Sequence, residues 1–252
     1  MTTKALLFLL LLFSVATLTT AWAFQSREQT IRWQQGRQTA ETIDVSNFPI
    51  FDYAAQRQAT PSEQVKREAK SKKYNNRHSA PITESSDQIY AILDWDVGLP
   101  ALPLTKSSAI VLGEIVDAQA YLSEDLTQVY SEFVVRLNEV FKSDSNLRVG
   151  DSITVERLGG RVRVLSGKIV SSVVNHQDMP RVGGKYVLFL THEFPKGGQY
   201  KTELFILTAY ELRGNRVFPL DKPAPGHPIL AYKGTSKESF MKDLETALRT
   251  TP

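Results

Sequence analysis

Between Ala109 and Leu220 the chain passes through one short apolar or alternating segment after another, most of them bounded by glycine-bearing turns, with no amphipathic helix between them. No other feature narrows the fold as much. Parallel α/β sheets need a helical crossover between strands, so strands in unbroken series pair mainly with antiparallel neighbours. Ala109 to Ala118 is apolar on both parities at its start, the pattern of a strand covered on both faces, and Gly113 marks a place where a sheet coils sharply. Gln128 to Lys142 alternates, with Phe133, Val135 and Leu137 on one face and Glu132, Arg136 and Asn138 on the other. Ser152 to Leu158 ends at Gly159-Gly160, which reads as a hairpin from which Arg161 to Leu165 returns; Ser166-Gly167 offers a second turn before Lys168 to Val174. Lys185 to Leu190 follows Gly183-Gly184, and Thr202 to Leu212 faces Arg216 to Leu220 across Gly214-Asn215. Thr235-Ser236-Lys237-Glu238 then has the form of a capping box, opening a helix over 236–249 with an apolar stripe of Phe240, Met241, Leu244, Ala247 and Leu248. The expectation is a mainly β domain, a small, partly closed antiparallel β-barrel with a C-terminal α-helix.

Such a barrel must be stable through packing alone, because none of the 252 residues is Cys. That absence excludes a disulfide framework, a thiolate zinc site, an iron–sulfur cluster, a Cys nucleophile and a lipid-modified Cys. With 42% hydrophobic and 23% charged residues the composition is that of a globular chain. The roughly 150 residues from Leu102 onward bury about two-thirds of their unfolded surface, enough to dispense with cross-links.

Residues 1 to 23 read as an export signal: Lys4 precedes an apolar run from Ala5 to Phe13, and Ala21-Trp22-Ala23 supplies small residues for cleavage before Phe24. An uncleaved N-terminal membrane anchor is the alternative, since Ala5 to Ala23 has the length of a span. Arg27, Arg32 and Arg37 lie on the wrong side for an anchor and favour cleavage. Either way the body is expected to be extracytoplasmic, periplasmic or secreted. Residues 24–86 form a polar, basic arm of largely irregular texture, with a short helix at 61–73 started by Thr60-Pro61-Ser62-Glu63. The formal charge of +3 is concentrated there. Between Arg57 and Arg77 seven basic residues (Arg57, Lys66, Arg67, Lys70, Lys72, Lys73, Arg77) face two acidic ones, Glu63 and Glu68. Residues 87–252, nearly neutral, are the expected β-barrel domain.

Ala109-Ile110-Val111-Leu112-Gly113-Glu114-Ile115, then Tyr130 to Phe133, Val140 to Lys142, Gly150 to Val155, Gly159-Gly160 and Gly183 to Leu190 together resemble an uncharacterised family of exported bacterial proteins. The resemblance covers about Leu99 to Phe218 and implies an OB-like or netrin-like β-barrel. Animal netrin-like domains carry paired Cys, which this chain lacks, so a protease-inhibitor role is not implied. The family supplies no catalytic residues and no cofactor.

Candidate chemistry is sparse. His176, Asp178 and His192 are the side chains from which a metal site could be built, as in an exported metal-dependent hydrolase or metalloprotein. Asp94 and Asp96 flank Trp95 as a carboxylate pair, read as solvated. His78 and His227 read as solvated, and Glu124-Asp125 as turn residues. No G-x-S-x-G and no Gly-rich phosphate loop is present. Lys66, Arg67, Lys70, Lys72 and Lys73 could contact an anionic surface, against the plainer reading of a solvated spacer. Nucleic acid is not an expected partner, because the domain is neutral and the chain exported. The function expected is a non-catalytic exported binding or interaction module of the cell envelope, engaging a protein or envelope component. A membrane-tethered scaffold is the remaining alternative.

Overall fold

The computed structural model describes residues 45–52, 67–68, 70–76, 79–86, 89–91, 98–144, 147–193 and 203–250. The export segment at 1–23, Lys66, His78 and the Asp94-Trp95-Asp96 pair lie outside the described residues. One compact unit runs from Ile43 to Pro252. Its strands are β1 (Ile50–Asp52), β2 (Ile89–Ala91), β3 (Ala109–Leu122), β4 (Val129–Ser143), β5 (Ser152–Leu158), β6 (Gly160–Arg163), β7 (Ile169–Val174), β8 (Lys185–Thr191), β9 (Leu204–Arg213) and β10 (Arg216–Pro219), followed by α1 (Lys237–Thr250). Among the described residues no helix is long and apolar enough to cross a membrane.

The protein is mainly β, with a partly ring-closed sheet and a C-terminal helix. In that sheet β10, β9, β5, β4, β3 and β8 are neighbours in this order, and β8 pairs again with β9, so five strands form a ring. Four of its pairings are antiparallel. The fifth, β5 with β9, is parallel and short, through Val155–Leu204 and Glu156–Phe205, so the barrel is not wholly antiparallel as the serial strands suggest. Sequential strands zip up locally, but the strand that closes a ring must accept whichever direction it arrives in. Two long strands make closure possible: β3 and β4 lose register at Ile110/Val111, Leu112/Gly113 and Ile115/Asp117, and each shift bends the pair. At Gly113 an added Cβ would collide with the Val135 side chain, so glycine is required where the strands coil.

Gly159-Gly160 is not a hairpin. β6 pairs with β7 and β1 in a second sheet, ordered β1-β6-β7-β2, and never with β5. The glycines form a corner at which the chain leaves the ring, with φ of +107° and +148°. A Cβ on Gly160 would stand 2.8 Å from Val129 Cγ1, which leaves no room for a side chain. Ser166-Gly167 is the turn of the β6–β7 hairpin, closed by the Val164 amide on Lys168 O at 3.0 Å. Gly214-Asn215 is the turn between β9 and β10.

The second sheet draws on residues ahead of position 87. Its outer strands, β1 and β2, come from the stretch read as arm and from just beyond it, and both run parallel to their partners. Phe51 and Ile82 are buried with Val162, Val164 and Val170 of the hairpin. The folded unit therefore begins some forty residues earlier than position 87.

Two further buried clusters among the described residues lie on either side of the ring wall. Val111, Ile115, Phe133, Val135, Val155 and Leu188 pack inside the ring. Outside it, Phe240 and Leu244 of α1 cover Ile110, Val187, Phe189, Tyr210 and Val217, and Tyr210 donates to Ala101 O at 2.5 Å. Ser236 caps α1 through its Oγ, which accepts the Ser239 amide at 3.2 Å, one residue later than the capping box read around Thr235.

Candidate functional site

Polar residues gather at three places among the described residues, and two of them follow from the alternation of β5. On β5, Val155 points into the ring, Glu156 out of it and Arg157 in again. Glu156 is only 2% exposed, because the arm lies across it. Lys70 Nζ reaches its carboxylate at 2.8 Å and Lys73 Nζ at 2.7 Å, and the Tyr74 hydroxyl donates to it. Lys70 also pairs with Glu132 at 2.5 Å. The Tyr74 ring stacks on Tyr130 at 3.9 Å and shares a buried cluster with Leu158, Val174 and Phe205. Burial, then the Glu156 charge, push the Tyr74 phenol well above its ordinary range, so it stays a donor.

Of the five cations read as contacts for an anionic surface, four are described. Arg67 lies over the Tyr121 ring at 5.2 Å, Lys72 pairs with Glu124 at 3.4 Å, and Lys70 and Lys73 serve Glu156. The helix at 61–73 is described from Arg67, with a 3-10 turn at Lys72–Tyr74. Beyond it, the Asn76 amide donates to Asp125 Oδ2 at 3.0 Å, and the Asn75 side-chain oxygen accepts the Asp125 amide at 3.1 Å. The Glu124-Asp125 turn is thus both a turn and the arm's anchor.

The second cluster is buried. Arg157 donates through Nη2 to Asp221 Oδ1, which also accepts the Asp178 amide at 3.2 Å, while Asp221 Oδ2 accepts the Thr208 hydroxyl at 3.0 Å. Burial pushes the Asp221 carboxyl up to about 6 in spite of the Arg157 guanidinium.

The third cluster lines a cavity of about 300 Å³. Glu211 of β9 accepts from Arg181, and from Arg213 Nε at 2.7 Å. Burial pushes its carboxyl up, but the two guanidinium groups hold it below the usual range. Tyr186 of β8 accepts the Arg181 amide at 3.0 Å, and Asp178 pairs with Lys222 at 2.9 Å. Asn47, Met179, Pro219 and Leu220 complete the wall.

The sequence singled out Asp178 alone among these. The structure sets it in the cavity wall, with His176 two residues before it; His176 Nδ1 meets Lys222 O at 3.0 Å. His192 lies beyond the other end of β8, roughly 20 Å from Tyr186 at about 3.3 Å per residue, and its Nδ1 meets Glu203 O at 2.7 Å. Among the described residues no group of three His, Cys, Asp or Glu side chains is placed to hold a metal. His227 caps a 3-10 turn at Pro228–Tyr232, its Nδ1 accepting the Ile229 amide at 3.2 Å. One sequence signal points to the cavity: Glu211 is the one charged residue in the stretch from Leu204 to Leu212. Family models, curated proteins and solved structures were compared with the chain, and none of them matches it.

Proposed function

We propose that this protein is a non-catalytic, exported binding module of the bacterial cell envelope, built on an OB-like barrel, with its ligand in the cavity beside β8, β9 and β10. The OB-like reading is supported by the five-strand ring in Greek-key order, in which the third strand is followed in space by the fifth. OB barrels commonly take ligands on the face of their second and third strands, here β4 and β5. In this chain Lys70, Lys73 and Tyr74 already lie on that face. The observation that carries the proposal is the polar cavity itself, at the lower end of the size range of ligand sites. Both of its carboxylates are held in ion pairs, so neither is poised as a general base, which favours binding over catalysis. Export rests on the pattern of residues 1 to 23.

Two measurements test this reading. Fractionation of the native host followed by amino-terminal sequencing is expected to find an extracytoplasmic chain starting at Phe24; a cytoplasmic chain starting at Met1 contradicts export. A thermal-shift screen of small polar molecules is expected to yield hits that Lys222→Gln abolishes, and hits indifferent to every cavity substitution contradict the site.

A further inference from the structure

We propose that the cavity binds small oxyanions, ligands that present a carboxylate or phosphate group to Arg181, Arg213 and Lys222. This rests on the reading of the cavity as the ligand site, and the donor and acceptor count of its walls carries it. Glu211 Oε1 accepts from Arg181 Nη2, and Oε2 accepts from Nε and Nη2 of Arg213. Asp178 Oδ2 accepts from Lys222 Nζ, and Oδ1 accepts the Met179 amide at 2.8 Å. Each carboxylate oxygen in the wall is therefore already engaged.

The donors are not used up. A guanidinium has five N–H groups and an ammonium three, and these ion pairs take one from Arg181, two from Arg213 and one from Lys222. The Tyr186 oxygen accepts from both the amide and the side chain of Arg181, which takes one more guanidinium donor and leaves the Tyr186 O–H proton as a further one. Three positive charges also stand against two negative ones. The layering has the same sign: the Glu211 side chain is 7% exposed, while those of Arg181, Arg213 and Lys222 are 46%, 55% and 49% exposed. An incoming ligand meets cations first, with the carboxylates behind them. What such a wall lacks is acceptors, and a planar guanidinium fork matches a carboxylate or phosphate edge. The volume suits one phosphate or a carboxylated monosaccharide, not a polymer.

The test is calorimetric titration of the protein with sodium phosphate, citrate and glucuronate, with glucose as the neutral probe, all at one ionic strength. The same titrations are run on Lys222→Gln, on Arg213→Lys, which keeps the charge but loses the fork, and on the exposed control Arg249→Gln. Saturable oxyanion binding is expected, weakened roughly tenfold by the loss of one charge-assisted hydrogen bond in each cavity variant and unchanged in Arg249→Gln. Binding by phosphate alone or by the carboxylates alone supports the proposal and names the group. Glucose binding without oxyanion binding overturns the ligand class and leaves the cavity as a site. Oxyanion binding that both cavity variants leave untouched overturns the site. No oxyanion binding up to about 10 mM, weaker than the millimolar range of any useful affinity, overturns the proposal.

Discussion

Glu156 shows how much one residue can hold in this molecule. Its carboxylate receives a hydroxyl and two ammonium groups from the arm while being shut off from water. Replacing one partner of a buried ion pair costs about 3–5 kcal/mol, because the other charge stays buried without compensation. Glu156→Gln is expected to lower stability by that order in urea denaturation; an unchanged midpoint would mean that these contacts do not hold the arm. Asp221 makes a prediction about pH. Its folded-state carboxyl sits near 6 against an ordinary 3.8, so the folded state retains a proton that the unfolded chain releases in between. The stability contributed by this group is complete below about pH 4 and is lost as the pH rises through about 6, a change of roughly 3 kcal/mol at about 1.4 kcal/mol per pH unit. Asp221→Asn is expected to remove that decline, read as urea midpoints across the window; parallel pH profiles for the two proteins would contradict it.

At the scale of elements, the arm is part of the fold. Tyr74 is fully buried on Tyr130, and truncating a buried aromatic residue costs about 3–5 kcal/mol. Replacing Arg67 to Asn76 by a glycine–serine linker of equal length is therefore expected to lower the melting temperature by roughly 10 °C, at about 2–4 °C per kcal/mol for a domain of this size. An unchanged melting temperature would return the arm to the status of a solvated spacer. The arm was opaque in the sequence for a physical reason. Alternation and helical stripes are local patterns, whereas Tyr74 finds its partner 82 positions away at Glu156. Read locally, Lys70, Lys73 and Tyr74 form no apolar stripe, and only β4 and β5, brought side by side, give them a surface. Gly159-Gly160 misleads in the same way: paired glycines permit a hairpin and a corner alike, and the approach of Val129 selects the corner. Where partners are near in sequence, the reading holds. β3, β4, β8 and the β9–β10 hairpin match their patterns, and α1 begins within a residue of its capping signal.

Over the whole molecule, closure of the ring and placement of the cavity are linked. The short parallel β5–β9 contact closes the ring beside Arg157, and Asp221, which pairs with it, stands between two residues of the cavity wall, Leu220 and Lys222. Asn47, from the chain ahead of β1, supplies another part of that wall. The cavity thus draws on segments from position 47 to position 222, which is why Asp178 was visible in the sequence as a candidate and its companions were not. Tyr186, Arg181, Arg213 and Lys222 lie in separate stretches of the sequence, and only the fold sets them around one volume. The central claim is that this volume is the ligand site and that it takes oxyanions. Its most direct measurement is the backbone amide spectrum of the isotope-labelled protein during a citrate titration. Saturable shifts are predicted to cluster at Asp178 to Tyr186 and at Glu211 to Lys222; shifts confined to α1 or to Arg67 to Asn76, or none at all, would contradict the claim.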